Sequence, residues 1–390
     1  MDRAAPAWRA ARLLSAPHRL GFAVGAAAMG LLALWWLGVL LARHLGVALP
    51  WAVAPGLAHG LLFTLGFMPA FMAGFLFTAA PRWLGRPALD AHVLLTALAQ
   101  WAAGWLLVLV GVHAGPWLAA LGMATAACGW LRLSLRFATL LRAPGAHARW
   151  LLLACLVGVA AMLLACLSLL EADTVLLRAA LRLGLWGFIV PVFAVASHRL
   201  LALAGAAALP MAGGLVLAAA ADVGGLPPWL LAPPLAAASL ALLAPALRAL
   251  LLGRLAGESR RLLAMLQGGF AWLGLAMGLQ AVSLALQAAG RAGLGATPLH
   301  ALTLGWLGCT LMAMVTRVAA GHSGRPLAID RLGWALYRLL QLGVLLRVAV
   351  ALGLTAGLLP AAALWAAVAT AWAWRQGGWL GRPRVDGRPG

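Results

Sequence analysis

The sequence predicts an all-α polytopic membrane protein of about twelve transmembrane helices with both termini cytoplasmic. Three observations carry that prediction. Of 390 residues, 65% are hydrophobic and only 9% are charged, with a mean hydropathy of +0.99. A soluble domain carries about 25% charged residues. The apolar residues fall into runs near the length of about 20 that spans a bilayer. The net charge of +20 comes from arginine with no lysine, and it sits mainly in short segments between those runs.

The twelve candidate spans are roughly 21–42, 57–80, 93–112, 117–135, 150–170, 183–204, 208–221, 229–251, 262–288, 298–320, 333–356 and 358–374. The seventh is the shortest and is rich in glycine. With the N-terminus inside, the inner segments collect Arg3, Arg9, Arg12 and Arg19, then Arg82 and Arg86, and continue so to Arg375, Arg382, Arg384 and Arg388. The outer segments hold little beyond Arg43, Arg178, Arg182 and Arg291. This positive-inside alternation predicts an even number of spans. The organisation is therefore a basic cytoplasmic arm (1–20), one transmembrane domain (21–374) and a disordered basic tail (375–390). The first apolar run is too long for a signal-peptide core and is read as a retained span. Pro69 and Pro191 fall inside spans two and six, where each frees a carbonyl and bends its helix.

Composition also excludes functions. A basic soluble protein would suggest nucleic acid, but here the charge is explained by topology, and no nucleic-acid partner is expected. Cys128, Cys155, Cys166 and Cys309 lie in apolar runs, as buried thiols rather than a disulfide framework. The 19 tryptophans cluster near span ends as an interfacial belt. No phosphate loop, zinc motif or nucleophile constellation appears, which argues against a hydrolase or ATPase.

The chemistry that remains is histidine chemistry. Nine histidines against eight acids is a skewed ratio, and neutral imidazole is a common ligand of metals and haem iron. His59 opens the second span and His300 the tenth. Each is followed, after almost the same number of residues, by a Gly-Arg-Pro loop: Gly85-Arg86-Pro87 and Gly324-Arg325-Pro326. At about 1.5 Å per residue, the two imidazoles lie at one depth near the outer boundary and could bracket a haem. Gly66, Gly74, Gly305 and Gly308 would admit a flat macrocycle. His18, His198 and His322 form a second candidate set toward the inner face. His44, His92, His113 and His147 sit at loops and are read as structural. Arg317 and Arg325 could pair with a propionate or phosphate. Cys309, Met312, Met314, Met68 and Met72 are soft donors read mainly as core.

The stretch HALTLGWLGCTLMAMVTRVAAGHSGRPL, from His300 to Leu327, resembles the C-terminal signature of the NnrS family. PHRLGF before span one, HGLLFTLGFMPAFMAGFLFTAAPRWLGRP in span two and WGFIVPVFAVASHRL in span six resemble other family blocks. The resemblance implies a twelve-span bacterial inner-membrane protein that contains haem and copper and protects against nitric oxide. His59 and His300 would then be the metal ligands on haem, with Arg43 and Arg291 as outer partners of the propionates. Nitric oxide or a related small molecule and an unknown electron donor would be its partners, besides the lipid bilayer. Many members begin helix two with His-x-His-Glu, whereas His59 is followed here by Gly60, Leu61 and Leu62. That departure bears on copper more than on haem. By analogy with haem–copper oxidases, helices two and ten are where a low-spin haem is held. The absence of histidine in GLWGFIVPVF and MAGGLVLAAAA argues against an oxygen-reducing centre.

The alternative is a cofactor-free transporter or channel, with Gln267, Gln280 and the glycine-rich seventh span as its polar elements. The near absence of acidic residues from the spans weighs against proton coupling.

Overall fold

The computed structural model describes residues 7–141, 146–201, 207–252 and 258–387, and these are helical with no strand. Among the described residues, eleven helical stretches are long and apolar enough to cross a membrane. A twelfth, α9 (Ala208–Val223), is apolar but shorter. It coincides with the seventh run, the shortest on sequence. The protein is therefore an all-α, multi-pass membrane protein. Side chains that point out of the spans are apolar: Leu34 is 53% exposed, Leu106 54% and Leu345 55%. Such faces suit lipid rather than water.

Two compact units divide the chain. The first contains residues 1–192, 318–325 and 369–390, and the second residues 193–317 and 326–368.

The first unit opens with a 3₁₀ turn, Ala10–Ser15, and α1 (Pro17–His44). Pro17 takes the first helical position, where its missing N–H costs nothing. The second span is interrupted: α2 (Pro55–Leu65) stops at Gly66, and α3 (Met68–Trp83) restarts with Pro69 in its first turn. Pro69 has no N–H to offer Leu65, so the ladder cannot run through. α3 packs on α1 almost backbone to backbone. A methyl group built on Gly21 would lie 2.5 Å from the Gly74 Cα.

α4 (His92–Ala114) and α5 (Pro116–Thr139) form a hairpin joined by the single residue Gly115. Gly104 on α4 faces Gly122 and Ala126 on α5, Gly111 faces Ala119, and Gly129 on α5 faces Ala97 and Trp101 on α4. A Cβ on Gly122 would sit 2.6 Å from the Gly104 carbonyl oxygen, and one on Gly129 2.6 Å from the Trp101 nitrogen. Seven residues make about two helical turns, so each helix carries one glycine seam. α6 (Ala146–Leu170) follows, then α7 (Thr174–Gly184), capped by Asp173, which accepts from the Val175 and Leu176 amides. A π-helical segment, Leu185–Ile189, precedes α8 (Val190–Leu201), most of which belongs to the second unit. It lies immediately upstream of Pro191, where the helix must absorb a lost N–H.

The second unit contains α9, α10 (Pro228–Leu252), α11 (Glu258–Ala288), the short α12 (Thr297–His300) and a π-helical segment, Ala301–Leu307. It also takes in most of α13 (Gly308–His322), all of α14 (Arg331–Ala351) and the start of α15 (Leu358–Leu380). Gly305 of the π segment receives the Trp272 ring, whose Cγ a Cβ would meet at 2.7 Å. Trp272 Nε1 donates to Gln341 Oε1 at 2.6 Å, and Gln341 Nε2 donates to the Cys309 sulfur at 2.9 Å. This partly buried polar chain ties α11, α14 and α13 together. Cys309, Met312 and Met314 are all buried.

α15 runs beyond residue 374, to Leu380. The following segment to Gly387 is fastened by hydrogen bonds. Arg9 N donates to Gly381 O at 2.9 Å, and Val385 N donates to Ser323 O at 3.0 Å. Trp8 Nε1 donates to Gly377 O at 2.9 Å.

Candidate metal centre

His18 is the second residue of α1 and His322 the last of α13. Within the first unit their rings pack together, with centroids 4.3 Å apart and planes tilted by 39°. His18 is only 2% exposed. Its Nδ1 is buried with no hydrogen-bond partner among the described residues. Phe22, one turn along α1, meets the His18 ring edge-on at 6.0 Å. A buried imidazole nitrogen without a partner is costly, and its presence beside a second imidazole is the arrangement expected of a ligand pair.

Arginines surround the pair. Arg19 is 3% exposed, and its Nη1 donates to the carbonyls of Leu380 at 2.7 Å and Arg382 at 2.8 Å. Arg384 donates to the His322 carbonyl at 3.0 Å and pairs with Asp386 at 2.5 Å. Arg82, in the last turn of α3, lies within electrostatic range of both rings. Arg19 thus acts as a buckle: it holds the end of α15 and the segment after it, from which Arg384 reaches the His322 carbonyl. Charge-assisted bonds of this kind contribute about 1.5–3 kcal/mol each. Arg19→Met is expected to release residues 381–387, read as new proteolytic cleavage there with the spans still intact. An unchanged digestion pattern would remove the buckle role.

The ring geometry limits what the pair can hold. With a metal–nitrogen bond of about 2 Å, imidazoles on opposite faces of one haem would have centroids about 6 Å apart. The observed spacing is shorter and suits two adjacent positions on a single ion. His18 and His322 could therefore serve adjacent positions on one transition-metal ion, a role in which imidazole suits copper, zinc, iron and nickel alike, and do not fit as the two axial ligands of one haem.

The other sequence-derived candidates are placed as follows. His59 belongs to the first unit and His300 to the second. His59 is stacked on Trp36, 4.2 Å between centroids at 24°, and touches Phe63 at 4.4 Å. His300 sits where α12 passes into the π segment, with Nδ1 2.8 Å from the Ala296 carbonyl. When Nδ1–H donates there, the lone pair lies on Nε2, as in most metal-binding histidines. π-Helical insertions are common at functional sites. His198 lies in the second unit, its Nδ1 buried without a hydrogen bond among the described residues. Arg43 and Arg291 are exposed and Arg317 is half-buried. Arg325 lies over the Trp379 ring at 4.9 Å. Among the described residues, no group of three or more His, Cys, Asp or Glu side chains could hold a metal ion.

Of the histidines read as structural, His44 is exposed and His92 is bound to the nearby Asp90 carboxylate at 2.7 Å. That contact, through the His92 backbone amide first and then its ring, lowers the Asp90 pKa. His113 has both ring nitrogens engaged. Nδ1 is 2.8 Å from the Pro50 carbonyl, and Nε2 accepts from Trp35 Nε1 at 2.9 Å. It fastens the end of α4 to α1. His147 lies outside the residues whose side chains are described. His113→Leu is expected to cost about 2 kcal/mol, two lost neutral hydrogen bonds, measured as a lower melting temperature. Its metal content should match wild type, and a loss of bound metal in a folded His113→Leu protein would contradict this assignment.

Three contributors were not singled out on sequence. Arg347 of α14 lies within electrostatic range of His300. Arg19 was counted only as a topological charge. Gln341 binds Cys309 and Trp272. The first could have been noticed as an arginine deep within an apolar run, which marks function by default.

A protein-family model described as NnrS protein matches residues 12–384. No curated protein sequence matches the chain.

Proposed function

The chain belongs to the NnrS family, and from that premise we propose that it is a haem protein of the bacterial inner membrane that handles nitric oxide in nitrosative stress, with copper as its second metal. The observation that carries the copper assignment is the buried His18–His322 pair, 4.3 Å between ring centroids, with an orphaned Nδ1. The haem assignment is given to His59 and His300, as sequence depth and family resemblance suggest. The Nδ1 contact of His300 favours Nε2 as its ligating nitrogen. Arg43, Arg291 and Arg347 are the proposed propionate partners, and the arginine distribution favours cytoplasmic termini.

The metals would supply the binding and one-electron chemistry for nitric oxide, drawing on an electron donor outside this chain. The protein's own part is to hold the ligands still and dry. Trp36 and Phe63 fix the His59 ring. Phe22 and the Arg19 buckle close off His18. Nitric oxide is small and apolar and can reach such sites through the bilayer.

The interrupted spans, at Gly66 and at the two π segments, also suit a cofactor-free transporter or channel. Reduced-minus-oxidised spectra and metal content of purified protein, with and without nitric oxide, separate the readings. Low-spin haem bands perturbed by nitric oxide and lost in folded His59→Ala and His300→Ala protein are expected. A featureless spectrum and no copper in folded protein from haem- and copper-replete cells would leave the transporter reading.

A further inference from the structure

Arginine outnumbers the carboxylates in this chain: 28 basic residues face eight acids. At the surface that matters little, because water solvates guanidinium. Around the end of α15 it matters more. Arg325 Nη1 and Arg382 Nε are buried there with no hydrogen-bond partner among the described residues. Arg325 lies 4.9 Å above the Trp379 ring, and Arg375 lies 4.8 Å from the same ring. The backbone at Arg382 is held by Arg19, through a 2.8 Å bond to its carbonyl. Burial, and then the nearby charges of Arg382 and Arg375, lower the Arg325 pKa.

These facts share one cause. Buried charged donors without acceptors cost more than neutral ones, and like charges converging on one ring repel. An anion with several oxygens would remove both costs, because guanidinium presents paired N–H groups that match an oxyanion face. Trp379 would hold the guanidinium planes while the N–H edges stay available. The site lies at the end of α15, where a phosphate group could arrive from the lipid surface or from solution.

We propose that Arg325 and Arg382, flanked by Arg375, form a phosphate-binding site whose occupant is a lipid phosphodiester or free phosphate. The site stands whether or not a metal binds at the histidine pair.

The test uses full-length purified protein, wild type beside Arg325→Gln and Arg382→Gln, with the exposed Arg136→Gln as control. Thermal melting is followed in delipidated detergent with inorganic phosphate against chloride at equal ionic strength. It is repeated in nanodiscs of phosphatidylcholine with and without phosphatidylglycerol. The expected result is a rise of about 3 °C or more in wild type and control that both cluster variants lose. A rise with phosphate identifies a free oxyanion, and one only with phosphatidylglycerol identifies a lipid headgroup. Where a glutamine variant is not monodisperse, Arg→Lys at the same position keeps the charge and removes the fork. No rise in either medium, or a rise undiminished in the cluster variants, overturns the site.

Discussion

Purified protein carrying His322→Ala is expected to lose copper affinity by at least about a hundredfold while its haem spectrum stays intact. Removing groups that only support a ligand already costs about 10–100-fold, and a site with two protein nitrogens has no spare one. His18→Ala should match it, because in the proposed site both rings would bind one ion. Alanine alone would not settle the matter, since it also opens a cavity beside His18. His322→Phe does. Phenylalanine keeps a ring against His18, 4.3 Å away in the wild type, and removes both nitrogens. Copper lost in His322→Phe as in His322→Ala means coordination. Copper retained in His322→Phe means that the rings only pack, and the site must be sought elsewhere.

The pair shows where sequence reasoning stops. Span boundaries were legible because hydropathy is a local property of twenty or so residues. Even the weak seventh run corresponds to the short α9. Pro69 and Pro191 marked real interruptions, because a missing N–H acts wherever the chain goes. Expected depth also placed His18 and His322 in one candidate set. What depth cannot supply is azimuth. Whether two rings at one level face each other depends on how each helix is rotated, and for α1 that is set by the close approach of Gly21 to Gly74 on another helix. Arg19 is the same lesson in charge: its sign fitted the topology, but its burial and its grip on Leu380 and Arg382 come from packing. The family match over residues 12–384 bears out the resemblance read from the His300–Leu327 block.

The glycine seam gives the largest structural effect. Gly122→Val is expected to prevent α4 and α5 from closing, whereas Gly38→Val should be nearly silent. Both glycines sit within spans, so the comparison holds hydrophobicity constant. A Cβ on Gly122 would meet backbone atoms, the Gly104 oxygen and the Val108 nitrogen, both at 2.6 Å, while one on Gly38 meets nothing within 4 Å. A flexible side chain could swing aside; a helix backbone can yield only by moving the whole helix. Overpacking costs about 1–3 kcal/mol where side chains adjust, and backbone contact puts Gly122→Val at or beyond the top of that range. Apolar attraction cannot compensate, because in lipid it does not drive helices together, and close packing is what holds them. The measurement is detergent-solubilised melting with size-exclusion profile. Gly122→Val should melt about 5 °C or more below wild type, or fail to yield a monodisperse peak. Equal melting of Gly122→Val and Gly38→Val would mean that the α4–α5 hairpin is not held by this seam.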